Sequence, residues 1–244
     1  MMPAVAVAPE ELLRNRLLGA LPPEDYERAR SHLELVHYAQ RQVLIEPEEP
    51  IRHVYFPMTM VASIVNLMDE AKAVEVGTVG CEGMVGLPLF LGDDRSPLRA
   101  FAQVPGMAAR MKADAFASFA SVPGALHQVL LRYTQAFLTQ VAQSAACNGA
   151  HLVQERCARW LLMTHDRAEG DAFPLTHEFL AFMLSVRRPG VTIAMRALQD
   201  LGLVRYVRGW VEIADRAGLE RASCACYRVV RAHTERLLPP SRRR

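Results

Sequence analysis

The sequence predicts an α+β protein, in which a β jelly roll is followed by a long helix and then by a small helical domain. Three observations support this prediction. Short β-prone runs, separated by Pro, Gly or acidic residues, fill residues 43–104. One long run at helical spacing follows Pro123-Gly124. Two short amphipathic segments and then an alternating polar and apolar stretch occupy residues 174–213.

The composition argues against several classes of protein. The chain has 244 residues, of which 51% are hydrophobic, so it can bury a globular core. No apolar run approaches the ~20 residues that cross a bilayer, and the amino terminus lacks the basic region of a secretory signal. The five cysteines show no disulfide-framework spacing, which is typical of a reducing compartment. We therefore expect a cytoplasmic protein without a membrane partner.

The net charge of +2 hides a difference between the two halves of the chain. Residues 1–120 contain 11 Lys and Arg against 16 Asp and Glu, whereas residues 121–244 contain 17 against 10. A basic second half joined to an acidic first half is the pattern expected when only the second half meets phosphate groups.

The first domain is predicted to span residues 10–122. Residues 10–33 read as helical, with a second short helix opening at Pro22-Pro23, and residues 113–122 read as a short closing helix. Between them, five β-prone runs without crossover helices favour an antiparallel sandwich or jelly roll: Val43–Ile45, His53–Phe56, Val61–Val65, Val74–Val76 and Ala100–Val104.

A long helix is predicted for residues 123–148. Its large side chains recur at a spacing close to that of a coiled-coil seam: Leu126, Leu130, Tyr133, Phe137 and Val141. The alternative is that this stripe packs on the β domain of its own chain.

The remaining residues, 149–238, are predicted to form a helix-turn-helix domain. Residues 151–167 are an amphipathic helix whose arginines are expected to face water: Arg156, Arg159 and Arg167. Thr176 can cap the next helix, and Pro189 fits only the first turn of the helix after it. Polar and apolar residues then alternate around Arg208-Gly209, which predicts a two-stranded wing, and a further helix runs from Leu219 to about Leu238.

In this combination the chain resembles the Crp/Fnr family of transcription regulators. The matching residues are Leu175-Thr176, Leu180-Ala181, Val186, Val191-Thr192, Leu198 and Leu201-Gly202-Leu203-Val204. The resemblance implies a cyclic-nucleotide-binding-like jelly roll, a dimer helix, and a winged helix-turn-helix that reads a near-palindromic site on double-stranded DNA. It also implies a homodimer, with RNA polymerase as a further candidate partner.

The family match assigns DNA contacts to particular residues. The second helix of the motif would lie in the major groove, with Arg188 reading a base edge. Arg187, Thr192 and Arg196 are candidates for further base or phosphate contacts. Thr176 and Arg208 would hold the DNA backbone.

The family's cyclic-nucleotide pocket is matched only loosely, at residues 80–96. The candidate effector residues are Gly83, Gly86, Leu87, Arg95 and Ser96. Leu87 stands where the family has a ribose-binding Glu, and a leucine cannot accept a hydrogen bond. We therefore expect an unknown effector, or none, and not cyclic AMP.

Two other functions remain open from the sequence. A jelly roll can be a cupin-like metalloenzyme, but His53, Glu75 and Glu82 lack a paired-His motif. The chain can also be a dimerisation or partner-binding module that does not meet DNA. No catalytic arrangement stands out, so an enzyme is not expected.

The cysteines do not suggest a metal site. Cys81 stands alone in the first half, as a buried thiol or a redox handle, and Cys147 and Cys157 are expected in the core. Cys224 and Cys226 with His233 make three soft ligands, one short of a tetrahedral zinc set. No metal or other cofactor is therefore predicted.

Overall fold

The computed structural model describes residues 9–69, 72–120 and 123–238. The chain begins with α1 (Pro9–Leu12), a 3-10 turn (Leu18–Ala20) and α2 (Pro23–Arg30). Residues 10–33 are thus helical only in short pieces, because Pro22 and Pro23 start a new helix and cannot continue an old one.

Seven antiparallel strands then form a β-sandwich. They are β1 (Leu33–Tyr38), β2 (Val43–Ile45), β3 (His53–Pro57), β4 (Val61–Asp69), β5 (Lys72–Val79), β6 (Arg99–Val104) and β7 (Gly106–Lys112). One sheet has the order β1-β7-β3 and the other β2-β6-β4-β5. The sequence indicated five of these strands; β1 and β7 were not predicted. Both sheets contribute to one hydrophobic core, with Phe56, Met111 and Ala102 at most 1% exposed.

Helices close the sandwich and lead to the second half. The short α3 (Leu87–Phe90) lies between β5 and β6, and α4 (Ala113–Ala120) follows β7. The long helix α5 (Ala125–Ala150) confirms the predicted connecting helix. None of the helices in the described ranges is long and apolar enough to pass through a membrane.

The described part of the carboxy-terminal half, up to residue 238, contains five helices and a small sheet. The helices are α6 (Val153–His165), α7 (His177–Leu184), α8 (Arg188–Asp200), α9 (Arg216–Ala222) and α10 (Ala225–Leu237). The strands β8 (Ala172–Pro174), β9 (Val204–Val207) and β10 (Trp210–Ile213) pair in the order β8-β10-β9. The single helix predicted from Leu219 is therefore two helices, separated at Ser223 and Cys224.

The two halves share a second hydrophobic core. Val61, Val65, Phe101 and Val104 of the four-stranded sheet pack with residues of α6 and α7. Phe179 of α7 lies edge-on to the rings of Phe101 and Trp160, with centroids 6.1 and 6.3 Å away. The four-stranded sheet is therefore covered on both faces, which explains the continuous burial along β6.

Buried polar groups cross the same boundary. The guanidinium of Arg167 donates to Glu82 at 2.6 Å and to the Met163 carbonyl at 2.7 Å. Trp160 donates to Glu75 at 3.2 Å. Burial raises the pKa of the Glu75 carboxyl, because desolvation disfavours its charged form.

Arg156, Arg159 and Arg167 were expected to face water, and this expectation was wrong. They are 6–7% exposed. Because α6 lies between the β-sandwich, α5 and the other C-terminal helices, it is enclosed on more than one face, which its amphipathic pattern did not indicate.

Candidate nucleic-acid interface and effector cavity

The turn between α7 and α8 follows directly from its residues. Thr176 caps α7 by accepting a hydrogen bond at Oγ1 from the Phe179 amide, 3.1 Å away, as predicted. Ser185 ends that helix in the left-handed region (φ 51°), which lets the Val186 amide bond to the Ala181 carbonyl at 3.0 Å. Pro189 lies in the first turn of α8, also as predicted.

Helix α8 has one buried and one exposed face. Its buried side chains hold it on α6 and α7: Val191, Ala194, Met195 and Leu198. On the other side Arg188, Thr192 and Arg196 are exposed, together with Arg187 just before the helix. Ile193 is 72% exposed beside them. The structure therefore brings four of the predicted DNA-contact residues onto one open surface. Arg187 and Arg188 lie at the N-terminus of α8, where the helix dipole attracts anions, and Arg196 lies about two turns further along.

The wing adds a fourth cation on a tight turn. Arg208 and Gly209 both have positive φ, 48° and 84°, as a two-residue hairpin of type I′ requires. Arg208 is exposed. Within the described residues, no carboxylate forms an ion pair with Arg187, Arg188, Arg196 or Arg208. These guanidinium groups are thus available for phosphates or bases.

His177 connects the three parts of the motif and was not recognised in the sequence. Its Nδ1 lies 3.1 Å from the Thr192 hydroxyl on α8, and its ring lies 4.7 Å from that of Tyr206 on the wing. Burial and the nearby charge of Arg188 lower the pKa of His177. No spacing rule identifies such a residue, because its partners are 15 and 29 positions away.

Residues 155–222 match the sequence model of the Crp-like helix-turn-helix domain. This segment is a Crp-like helix-turn-helix domain. A search of curated protein sequences found no match.

Solved structures share the fold of most of the chain. FixK2 from Bradyrhizobium japonicum is 17% identical with a TM-score of 0.67, over 79% of this chain and 98% of its own. A CRP-family transcriptional regulator from Thermus thermophilus is 20% identical with a TM-score of 0.64, over 77% and 96%. The c-di-GMP-responsive global regulator CLP from Xanthomonas campestris is 18% identical with a TM-score of 0.62, over 79% and 99%. These likenesses confirm the predicted fold class.

The helix that joins the β-sandwich to the Crp-like domain carries two apolar stripes. Leu126, Leu130 and Tyr133, which were predicted to face a partner helix, are at most 5% exposed because they pack on the β-sandwich of their own chain. That part of the prediction was wrong; Phe137 and Val141 are half-buried. A different stripe remains accessible, at the 3-4 spacing of a coiled-coil seam: Leu131, Thr134, Leu138, Val141 and Ala145.

A cavity of ≈ 370 Å³ lies between α5 and the β-sandwich. Gly86, Leu87 and Ser96, three of the five candidate effector residues, line it. Gly83 does not: it packs under the ring of Tyr133, where a Cβ would come within 2.3 Å of the ring. Arg95 is also outside, because its exposed guanidinium turns to the Glu48 carbonyl and to Asp94.

The cavity lining is almost wholly apolar. Thr134 and Ser96 are polar, the Tyr133 hydroxyl already donates to the Met84 carbonyl at 2.8 Å, and no lining residue is charged. Such a lining has no cation to bind a cyclic phosphate and no carboxylate to accept hydrogen bonds from the hydroxyls of a ribose.

Soft metal ligands meet at one place in the described parts of the chain. Cys147, His151, Cys224 and Cys226 form the single group found there with three or more His, Cys, Asp or Glu side chains close enough to hold a metal. His233, expected beside the two C-terminal cysteines, instead accepts a bond from Arg236 at 3.3 Å. No cupin-like group of His53, Glu75 and Glu82 assembles; Glu75 and Glu82 bind Trp160 and Arg167.

Proposed function

We propose that the chain is a dimeric, sequence-specific DNA-binding transcription regulator whose β-sandwich senses an effector. The observation that carries the proposal is the open cationic start of α8, held beside a wing within a Crp-like domain. In this arrangement Arg188 reads a base edge in the major groove, and Arg187 and Arg196 contact base edges or phosphates. Thr192 contributes to that surface while lying against His177.

Two further residues hold the DNA backbone. Thr176 uses its Oγ1 to cap α7 but keeps its hydroxyl proton for a phosphate oxygen. Arg208 reaches phosphates from the tip of the wing. A contact with RNA polymerase stays a prediction of the family resemblance.

The test is selection of bound sequences from random duplexes, followed by fluorescence anisotropy at several salt concentrations. We expect a near-palindromic site, and a steep salt dependence that other polyanions of equal charge do not reproduce. Binding to heparin as tight and as salt-dependent as binding to the selected duplex would instead support the non-DNA partner module.

The accessible stripe on α5 is the proposed dimer seam. Pairing of two such helices would set two α8 helices about one DNA turn apart, ~34 Å. Leu138 is 59% exposed, and a charge there would be buried between the two helices. We expect Leu138→Glu to give a monomer in sedimentation velocity. Met68→Glu, at a 68% exposed position in the β-sandwich, is the matched control and should stay dimeric. A dimeric Leu138→Glu protein would contradict this seam.

The proposed effector is an uncharged, largely apolar small molecule. Its cavity lies beside the proposed seam, since Thr134, Leu138 and Val141 belong to both. We expect cyclic AMP to leave the melting temperature unchanged, and apolar compounds that bind to raise it. Ala100→Leu, which fills the cavity from β6, should abolish that rise. A melting shift with cyclic AMP that Ala100→Leu removes would overturn the assignment.

A further inference from the structure

The strongest unassigned feature joins the end of α5 to the start of α10. Cys147 lies in the last turn of α5, and His151 is the residue that follows this helix. Cys224 is the N-cap of α10, and Cys226 lies two residues further on. Their four ligand atoms all lie within 4.8 Å of one another, although 77 positions separate Cys147 from Cys224.

The distances correspond to a tetrahedral metal site. The Sγ atoms of Cys147 and Cys224 are 3.5 Å apart, and Sγ of Cys226 is 3.7 Å from Nδ1 of His151. With Zn–S bonds of about 2.3 Å and a Zn–N bond of about 2.0 Å, a tetrahedron has S···S edges of about 3.8 Å and S···N edges of about 3.5 Å. The three cysteines of this group are free thiols, and 3.5 Å is far longer than the ~2.05 Å of a disulfide.

We propose that Cys147, His151, Cys224 and Cys226 bind one Zn²⁺ ion in a closed, four-coordinate structural site. Three thiolates and a neutral imidazole form a recurrent structural zinc set and leave no position open for catalysis. Binding forms three Zn–S bonds and one Zn–N bond, and it releases to solvent the protons that the thiols still hold.

The surrounding charges favour thiolates at this place. Arg156 and Arg159 on the adjacent α6 are 7% and 6% exposed, and within the described ranges neither forms an ion pair with a carboxylate. The Nε atoms of both are buried without a hydrogen-bond partner. A Zn²⁺ ion with three thiolates carries a net charge of −1, which offsets part of the cost of burying these two cations.

These surroundings shift the pKa values of the three thiols. A hydrogen bond from Cys147, the Cys226 amide and the positive charge of Arg159 lower the pKa of Cys224 to about 5, although burial opposes this. Donating this hydrogen bond to Cys224 raises the pKa of the Cys147 thiol, and burial raises the pKa of the Cys226 thiol.

The site would fasten the connecting helix α5 to α10, the helix that follows the Crp-like domain. Helices α5 and α10 already pack together, but Cys147, Cys224 and Cys226 form a small cluster apart from the two large hydrophobic cores. A metal here adds a cross-link where apolar packing is thin, and it fixes how the DNA-reading helices sit on α5.

The experiment measures zinc in the full-length protein purified without chelators. Mass spectrometry of the dissolved metal should give about one zinc per chain for the wild type and for Cys157→Ser, whose buried thiol lies outside the site. Cys226→Ala and His151→Ala should reduce zinc to about a tenth or less. His151→Cys should keep the metal, because a fourth thiolate also completes a tetrahedron, and this rescue separates ligand loss from misfolding. Replacing zinc by Co²⁺ should give the visible absorption of a tetrahedral thiolate complex.

Three results would overturn the proposal. One is a metal-free wild-type protein in which thiol reagents titrate the cysteines equally well with and without a chelator. Another is a disulfide between Cys147 and Cys224 in place of the ion, as shown by peptide mapping. The third is iron or another metal at full occupancy after growth with ample zinc, which would reject zinc as the resident ion.

Discussion

The buried pair between Glu82 and Arg167 is predicted to be a major support of the contact between the β-sandwich and the helical half. The atoms are 2.6 Å apart, and the side chains of Arg167 and Glu82 are only 8% and 11% exposed. Two unit charges about 4 Å apart attract by about 4 kcal/mol at an effective dielectric constant of about 20. Removing one partner of a buried pair costs about 3–5 kcal/mol, because it leaves a buried charge without compensation.

We expect Glu82→Gln to lower the free energy of unfolding by about 3 kcal/mol, near the bottom of that range. The reason is that Arg167 keeps its bonds to the Met163 carbonyl and to the Gln140 side chain, at 2.7 and 3.4 Å. Urea denaturation, followed by the fluorescence of Trp160 in a Trp210→Phe background, measures the loss.

The matched control is the exposed pair of Arg14 and Glu169, whose side chains are 40% and 56% exposed. Glu169→Gln should cost less than about 1 kcal/mol, since water screens such pairs. The double variant Glu82→Leu with Arg167→Met should recover most of the loss, because no charge remains buried. A loss below about 1 kcal/mol for Glu82→Gln, or equal losses for both pairs, would refute the reasoning.

Three other predictions concern the DNA interface and a buried carboxyl. Arg188→Ala should weaken specific binding by about 1–3 kcal/mol and relax the preference at one base pair; equal losses on specific and random duplexes would refute its reading role. Arg208→Ala should weaken all duplexes alike and flatten the slope of log affinity against log salt by about one; an unchanged slope would exclude a phosphate contact. The pKa of Glu75 is raised in the folded state, so folding favours the protonated carboxyl. The contribution of Glu75 to the free energy of unfolding is therefore fully present below about pH 4.3, the pKa of an unfolded glutamate, and is lost as the pH rises through the higher pKa of the folded state. Denaturation from pH 4 to 8 should show Glu75→Gln with a weaker pH dependence than the wild type, and parallel curves would contradict the shift.

The sequence predicted the helix-turn-helix and the wing well because their signals are local. Thr176, Pro189 and the Arg208-Gly209 pair each act on the backbone next to them, and α8 has one apolar face. Periodicity and turn chemistry are sufficient for such elements.

Features that depend on distant parts of the chain could not be predicted in this way. Helix α5 has apolar residues on two sides, and periodicity does not tell which of the two stripes packs on the β-sandwich of the same chain. Leu130 and Leu131 are adjacent in the sequence, yet Leu130 is 0% exposed and Leu131 is 48% exposed. The arginines of α6 read as surface residues because their buried partners, such as Glu82, are far away in the chain. The site formed by the four soft ligands was missed because the whole Crp-like domain separates Cys147 and His151 from Cys224 in the sequence.

Neighbouring residues on β6 serve different halves of the molecule. Ala100 borders the effector cavity, while Phe101, on the other side of the strand, packs against Phe179 of the first helix of the DNA-reading motif. A single sheet thus separates the cavity from α7. Under the proposed function, a substitution on β6 that changes the cavity therefore also changes the packing against α7, and so the support of the DNA-reading helices.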